Sequence, residues 1–188
     1  ARHFGIARER TTVLYPGYRS RYSLPRAAEL RSTARAALGI EPNAPLVGFV
    51  TSGNFEKRGL DLFLECAARI AAERRDVRFL VVGSKELPEH ASSHALVRDG
   101  VVRYRPKSGN VERWFAALDL FLYAARFEEF GMVIAEAQAM GVPVLTSRLV
   151  GASECLPPAY APWLLDRPEP TAMAERALAL LADPALRA

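Results

Sequence analysis

The chain has 188 residues, of which 50% are hydrophobic and 24% charged, and its formal net charge at pH 7 is +4. This length and composition predict one globular domain and exclude a mainly disordered protein. No apolar run approaches the ~18–20 residues of a membrane span. Two cysteines without a C-x-x-C pair exclude a disulfide scaffold and argue against a zinc site. We therefore expect a cytoplasmic protein.

The positive charge is concentrated at the start of the chain. Residues 1–35 contain eight arginines against Glu9 and Glu29. A solvated basic face is the simplest interpretation, and a peripheral contact with the inner face of a membrane is the alternative. Binding to nucleic acid is not expected, because the segment lacks aromatic residues interleaved on a known binding module.

The first 45 residues, which we call the leading segment, are expected to form an approach and a linker to the main sheet. Thr12–Tyr15 has the composition of a strand and is followed by the turn residues Pro16 and Gly17. Ala27–Leu38 has a helical pattern, and Gly39 is a suitable residue to end the helix.

From residue 46 onward, short apolar runs alternate with helical periodicity, which is typical of βα units and a parallel sheet. We expect about six strands, at Leu46–Val50, Val77–Val82, Val101–Arg105, Leu120–Tyr123, Val142–Thr146 and Trp163–Leu165. The predicted helices are Gly59–Arg74, Val111–Leu118 with Asn110 as N-cap, Phe130–Met140 and Thr171–Leu181. The sequence thus predicts one α/β domain over residues 1–188, with the core sheet in 46–168 and the last helix in 169–188.

Residues 84–100 form a polar loop or a loosely formed helix that carries two histidines. His90 and His94 lie four residues apart, which could place them on one helix face. Because Pro88 lies nearby and no third ligand is evident, we interpret both as solvated residues and expect no metal site.

Several common nucleotide and hydrolase motifs are absent. The chain contains no G-x-G-x-x-G after the first strand, no G-x-x-x-x-G-K-[ST], no G-x-S-x-G and no D-x-D. If a diphosphate binds here, protein groups must therefore neutralise it. The stretch 51–59, between the first strand and its helix, offers hydroxyls, small residues and two adjacent cations for this purpose, namely Thr51, Ser52, Gly53, Lys57 and Arg58. Taken alone, an ordinary polar βα loop is the alternative interpretation.

A second candidate region surrounds the helix predicted at 130–140. Glu128 precedes this helix, Gly131 leaves its first backbone amides uncovered, and Glu136 lies about two turns into it. Glu136 is flanked by apolar residues, so its carboxylate needs polar partners. The two hydroxyls of a ribose would satisfy it with charge-assisted hydrogen bonds.

The spacing Glu128-x₇-Glu136, followed by Ala139, Gly141 and Pro143-Val144, resembles the family-4 retaining glycosyltransferases of the GT-B fold. The resemblance is to their C-terminal, donor-binding domain and covers most of the chain, including the upstream Arg58-Gly59 loop. It implies a Rossmann-like, doubly wound sheet and a metal-independent transfer of a sugar from a nucleoside diphosphate sugar, with a UDP- or GDP-linked donor expected. It also implies no cofactor and a separate N-terminal acceptor-binding domain.

The resemblance implies a role for each matching position. Glu128 would bind hydroxyls of the transferred sugar, Lys57 or Arg58 would neutralise the leaving diphosphate, and Glu136 would hold the ribose. Backbone amides of four residues would contact the diphosphate and sugar, namely Phe130, Gly131, Met132 and Val133. Donor contacts are also expected from Ser52 and Gly53, and base contacts from Tyr104 and Arg105.

The sequence departs from the family pattern at several of these positions. Thr51-Ser52 stands where many relatives have Gly-Arg, Arg58 stands where Lys is usual, and Glu129 replaces a glycine. A non-catalytic interaction domain of the same fold is therefore an alternative, as is another GT-B enzyme such as a sugar-nucleotide epimerase or a phosphorylase. A phosphorylase would need a lysine for pyridoxal phosphate, for which only Lys57, Lys85 and Lys107 are present.

Overall fold

The computed structural model describes Gly5 and residues 7–83, 86–107 and 109–183. Five parallel strands form one sheet in the order β3-β2-β1-β4-β5. Their bounds are β1 Leu46–Val50, β2 Arg78–Gly83, β3 Val102–Pro106, β4 Leu120–Leu122 and β5 Val144–Leu145. The predicted α/β, Rossmann-like doubly wound sheet is confirmed, with five strands instead of about six.

Helices cover both faces of this sheet. They are α1 Leu24–Leu38, α2 Leu60–Glu73, α3 Glu89–Ser92, α4 Ala95–Arg98, α5 Glu112–Ala117, α6 Met132–Ala139 and α7 Pro170–Ala182. The chain runs outward from β1 to β3 and then returns to β4 on the other side of β1. Because such crossovers are right-handed, this reversal places α2 and α5 on opposite faces. Helix α7 packs on α2, and α1 packs on α5.

The core consists of fully buried strands and the apolar face of α2. Every residue of β1 is buried, as expected for a central parallel strand. The rings of Phe49 and Phe63 lie 5.3 Å apart, and Phe63 meets Phe79 edge-on at 6.3 Å. The free Cys66 is also buried in this core, as its place near the apolar face of α2 predicted.

A buried ion network fastens the leading segment to the sheet. The carboxylate of Asp119, at the start of β4, lies 2.5 Å from Arg31 Nη2 and 3.2 Å from Arg35 Nη1. The same carboxylate accepts the backbone N–H of Leu46 at 2.8 Å. Arg35 also donates to the carbonyls of Ala117 and Ala44. Two arginines of the basic start thus have structural partners: Arg35 is buried, whereas Arg31 stays partly exposed.

Three predictions for local elements are wrong. Thr12–Tyr15 forms no strand, because this exposed stretch has no neighbouring strand to pair with. The strand expected at Trp163–Leu165 is reduced to one bridge between Leu165 and Ser147. Helix α5 takes Val111 as its N-cap residue instead of Asn110, and no side chain caps it.

The stretch 84–100 contains two short helices, α3 and α4. His94 caps α4 by accepting the backbone N–H of Leu96 at 3.3 Å. Lys85 and residues 184–188, which the sequence analysis also considered, lie outside the described residues. In the part of the chain that the structure describes, no helix is long and apolar enough to cross a membrane.

Candidate functional site

The candidate site lies where the strand order reverses, between β1 and β4. In open parallel sheets, ligands bind beyond the carboxyl ends of the strands at such a point. The loop 51–59 follows β1 and the loop 123–131 follows β4, so the topology alone brings these two predicted regions together.

The side chain and backbone of Arg126 hold the two loops against each other. Arg126 binds the carboxylate of Asp61 with both terminal nitrogens, at 2.7 and 2.5 Å, and donates to the carbonyl of Glu56 at 2.8 Å. Its backbone N–H donates to the carbonyl of Lys57 at 3.2 Å. The start of α2 also comes close to the end of β4, since a Cβ built on Gly59 would collide with the Ala124 carbonyl. The two loops therefore form one unit.

The three predicted catalytic side chains lie at this junction. Arg58 Nη1 lies 2.5 Å from Glu128 Oε2 and donates to the carbonyl of Phe127 at 3.0 Å. Lys57 Nζ forms a second pair with Glu129 Oε1 at 3.0 Å. The negative charge of Glu129, a departure from the family pattern, is thus balanced at the surface by Lys57.

The start of α6 presents backbone amides that no side chain caps. Gly131 has φ = 94° and no side-chain hydrogen bond covers the helix start. A Cβ built on Gly131 would lie 2.9 Å from Val150 Cγ1 and 3.0 Å from Glu128 Cγ, so glycine is also required sterically. Uncovered amides at a helix start favour anions such as phosphate groups.

A cleft of about 500 Å³ opens beside these elements. Ser52, Met132, Val133 and Glu136 line it, as the sequence predicted for substrate contacts. The remaining lining residues come from the end of β1, the loop before α5 and the leading segment: Val50, Thr51, Lys107, Gly109, Val111, Gly17, Arg19, Arg21 and Tyr22. The turn after β1 and the helix that carries Glu136 thus face one cleft. Arg58 and Glu128 lie at the neighbouring junction of the two loops and are not among the lining residues.

Glu136 is a half-buried carboxylate in this cleft. Burial raises its pKa above the usual value, while the hydroxyl of Tyr22 and the nearby Arg21, Lys107 and Arg19 oppose that rise. Its surroundings are therefore cationic, although the helix that carries it is apolar.

The leading segment supplies a wall of the cleft that the sequence analysis missed. Tyr22 is buried, and its hydroxyl accepts a hydrogen bond from Arg21 Nη2 at 3.3 Å. Arg21 also donates to the carbonyl of Gly109 at 3.2 Å and lies 3.6 Å from Glu112 Oε2. The contacts of Arg21 with Gly109 and Glu112 link residues about 90 positions apart, so no local motif could have indicated them.

Other predicted positions take different places. The N–H of Gly53 donates to Thr51 Oγ1 at 3.0 Å, and a Cβ on Gly53 would lie 3.1 Å from Arg58 Nε. Tyr104 and Arg105 lie on β3 and do not line the cleft, and Arg105 donates to the carbonyl of Ala37 in α1 at 3.3 Å. Within residues 5, 7–83, 86–107 and 109–183, no group of three or more metal-binding side chains is assembled.

Comparison with known proteins identifies the family. The family model described as "Glycosyl transferases group 1" matches residues 44–183. The D-inositol 3-phosphate glycosyltransferase of Streptomyces avermitilis is 30% identical over 202 residues, which cover all of this chain and 42% of that protein. The lipopolysaccharide core biosynthesis mannosyltransferase LpsB of Rhizobium meliloti is 30% identical over 132 residues, or 66% of this chain and 37% of that protein. The chain thus spans less than half the length of these relatives.

Two solved structures share the fold of this chain. WaaG, a glycosyltransferase involved in lipopolysaccharide biosynthesis, aligns with a TM-score of 0.81 and 24% identity over 99% of this chain and 51% of that chain. HepE of Anabaena in complex with UDP-glucose aligns with a TM-score of 0.77 and 22% identity over 98% and 51%.

Proposed function

This chain belongs to the group 1 glycosyl transferases, and from that premise we propose that it is the donor-binding part of a retaining, metal-independent glycosyltransferase. Its ligand is a nucleoside diphosphate sugar, and a UDP- or GDP-linked donor is expected. The HepE complex with UDP-glucose, a protein of the same fold, supports this class of ligand.

One observation carries the proposal. The Arg58–Glu128 pair lies beside the uncapped start of α6, and Glu136 faces the cleft from the same helix. This order provides a cation, a row of amide donors and a carboxylate that could accept hydroxyls. A diphosphate with a sugar at one end and a ribose at the other has the matching sequence of groups.

Each group has a definite task in the proposed reaction. The amides of Gly131, Met132 and Val133 bind the diphosphate, and Arg58 stabilises the charge that develops on it as the glycosidic bond breaks. Glu128 orients the sugar through its hydroxyls, and Glu136 accepts the two ribose hydroxyls. Protein cations supply the neutralisation, so the proposed chemistry uses no metal and no cofactor.

The acceptor site belongs, in this proposal, to an N-terminal domain of the longer protein. The chain alone is then expected to bind nucleotide weakly and to transfer no sugar. A cytoplasmic location, with contact to the inner face of a membrane, stays a prediction from the sequence.

Titration calorimetry with UDP, GDP and ADP tests the proposal. At least one nucleotide should bind, and Glu136→Ala should weaken that binding on the order of tenfold to a hundredfold, since hydrogen bonds to a charged group contribute about 1.5–3 kcal/mol. Glu175→Ala removes the same side chain from an exposed position of α7 and should leave binding unchanged. Absence of heat with all three nucleotides would contradict the proposal.

A further inference from the structure

Arg58 and Glu128 neutralise each other in the free site. Their side chains are only 16% and 11% exposed, and their charged atoms lie 2.5 Å apart. Both charges are therefore largely withdrawn from water. Removing the partner of such a charge is costly, because the remaining charge is left without compensation.

Tyr123 is the third member of this group and was not identified from the sequence. Its ring is buried, and its hydroxyl donates to Glu128 Oε2 at 3.1 Å. Burial, followed by the nearby Glu128 charge, strongly raises the pKa of Tyr123, so its hydroxyl remains a proton donor at neutral pH. The Glu128 carboxylate is thus fixed from two sides, by a cation and by a hydroxyl.

We propose that Glu128 is an internal counter-ion that a diphosphate must displace from Arg58, and that the site thereby selects nucleotide sugars over free nucleoside diphosphates. The inference rests on the proposed function. A diphosphate that takes Arg58 removes the cation from the Glu128 carboxylate, which keeps the Tyr123 hydroxyl but then lies next to a new negative charge. A sugar on the same ligand donates hydroxyls to the freed carboxylate, whereas a nucleoside diphosphate has none to offer at that position.

The neighbouring pair provides a matched comparison. Lys57 and Glu129 lie in the same two loops and are 3.0 Å apart, but their side chains are 45% and 65% exposed. An exposed pair of this kind contributes little and exchanges readily with water. Removing the Glu129 charge should therefore affect anion binding much less than removing the Glu128 charge.

The test measures binding of inorganic pyrophosphate and UDP, which carry no transferred sugar. Glu128→Gln should bind pyrophosphate about tenfold more tightly than the unmodified chain, a difference of about 1.4 kcal/mol, because Arg58 is released while the Tyr123 hydrogen bond is kept. Glu129→Gln should change the affinity by less than about twofold. In an Arg58→Gln background, the gain from Glu128→Gln should disappear.

A second variant covers the case in which Glu128→Gln does not fold. Glu128→Asp keeps the charge but withdraws it from Arg58 by one methylene, and should give a smaller gain in pyrophosphate affinity.

Equal pyrophosphate binding by the unmodified chain and a folded Glu128 variant would overturn the inference. An equal gain in affinity in Glu129→Gln would also overturn it. If UDP binds but no such gain appears, the proposed function stands and this inference fails. If no diphosphate binds to any variant, the proposed function fails as well.

Discussion

Replacing Asp119 by Asn should be among the most destabilising single changes outside the apolar core. Arg35 is 3% exposed, and among the described residues Asp119 is the only carboxylate paired with it. The amide of Asn has nearly the same shape but lacks the charge, and can turn an NH₂ group toward a guanidinium. The buried charge of Arg35 would then keep only carbonyl partners.

The size of the effect follows from burial. Breaking a buried pair by removing one partner costs about 3–5 kcal/mol. Asp119 remains 14% exposed and Arg31 39% exposed, so we expect a loss near the lower limit, about 3 kcal/mol. For a domain of this size, that loss lowers the melting temperature by about 6–12 °C.

Urea unfolding followed by circular dichroism measures this loss, with Asp61→Asn as the control. Asp61 is also bound by both nitrogens of one arginine, Arg126, but the two side chains are 45% and 42% exposed. Its replacement should cost less than about 1 kcal/mol. If both variants lose the same unfolding free energy, and the slope of that free energy against urea concentration is unchanged, the argument that burial determines the cost is refuted.

Three further predictions concern the site and the thiols. Gly131→Ala should weaken nucleotide binding and lower the melting temperature, because its φ of 94° is unfavourable for alanine and the new Cβ would press on Val150. Calorimetry and thermal unfolding check this, and unchanged binding would contradict it. Nucleotide binding should weaken on acidification, because only the ionised carboxylate of Glu136 accepts two hydroxyls. Since burial raises the pKa of Glu136, this weakening should begin at a higher pH than for an exposed glutamate. Calorimetry from pH 4.5 to 8 measures this weakening, with Glu136→Gln as the control. That variant should bind nucleotide weakly, and its affinity should not fall further through protonation of residue 136. Cys155 should react rapidly with a thiol reagent at pH 8 and Cys66 only on unfolding, because burial raises the pKa of Cys66 to about 12; two fast thiols in the native protein would contradict it.

The sequence predicted the elements whose signals are local. The continuous apolar run of Leu46–Val50 and the periodic face of α2 both match the structure closely. The junction of the loops after β1 and β4 could also be anticipated, because parallel topology brings strand ends to one edge. Thr12–Tyr15 shows the limit of this reasoning, since β-propensity forms a strand only where a neighbour is available for pairing.

The contacts that sequence reasoning missed are charged and distant in the chain. Arg35 and Arg21 look like solvent-exposed residues in a basic stretch, yet their partners lie 84 and 91 positions away. Tyr123 reads as the last apolar residue of a strand, and nothing near it in sequence indicates that its hydroxyl reaches Glu128. Such side chains are placed by tertiary packing, which pattern analysis does not describe.

The position of the leading segment determines where this chain could be joined to another in a chimaera. Gly17, Arg19, Arg21 and Tyr22 line the cleft although they precede the first helix. A chimaera joined at the start of α1 would lose these four lining residues. Glu136 would then lack its neighbour Tyr22. The crossover point should therefore be placed before Gly17, so that the transplanted piece carries the complete cleft.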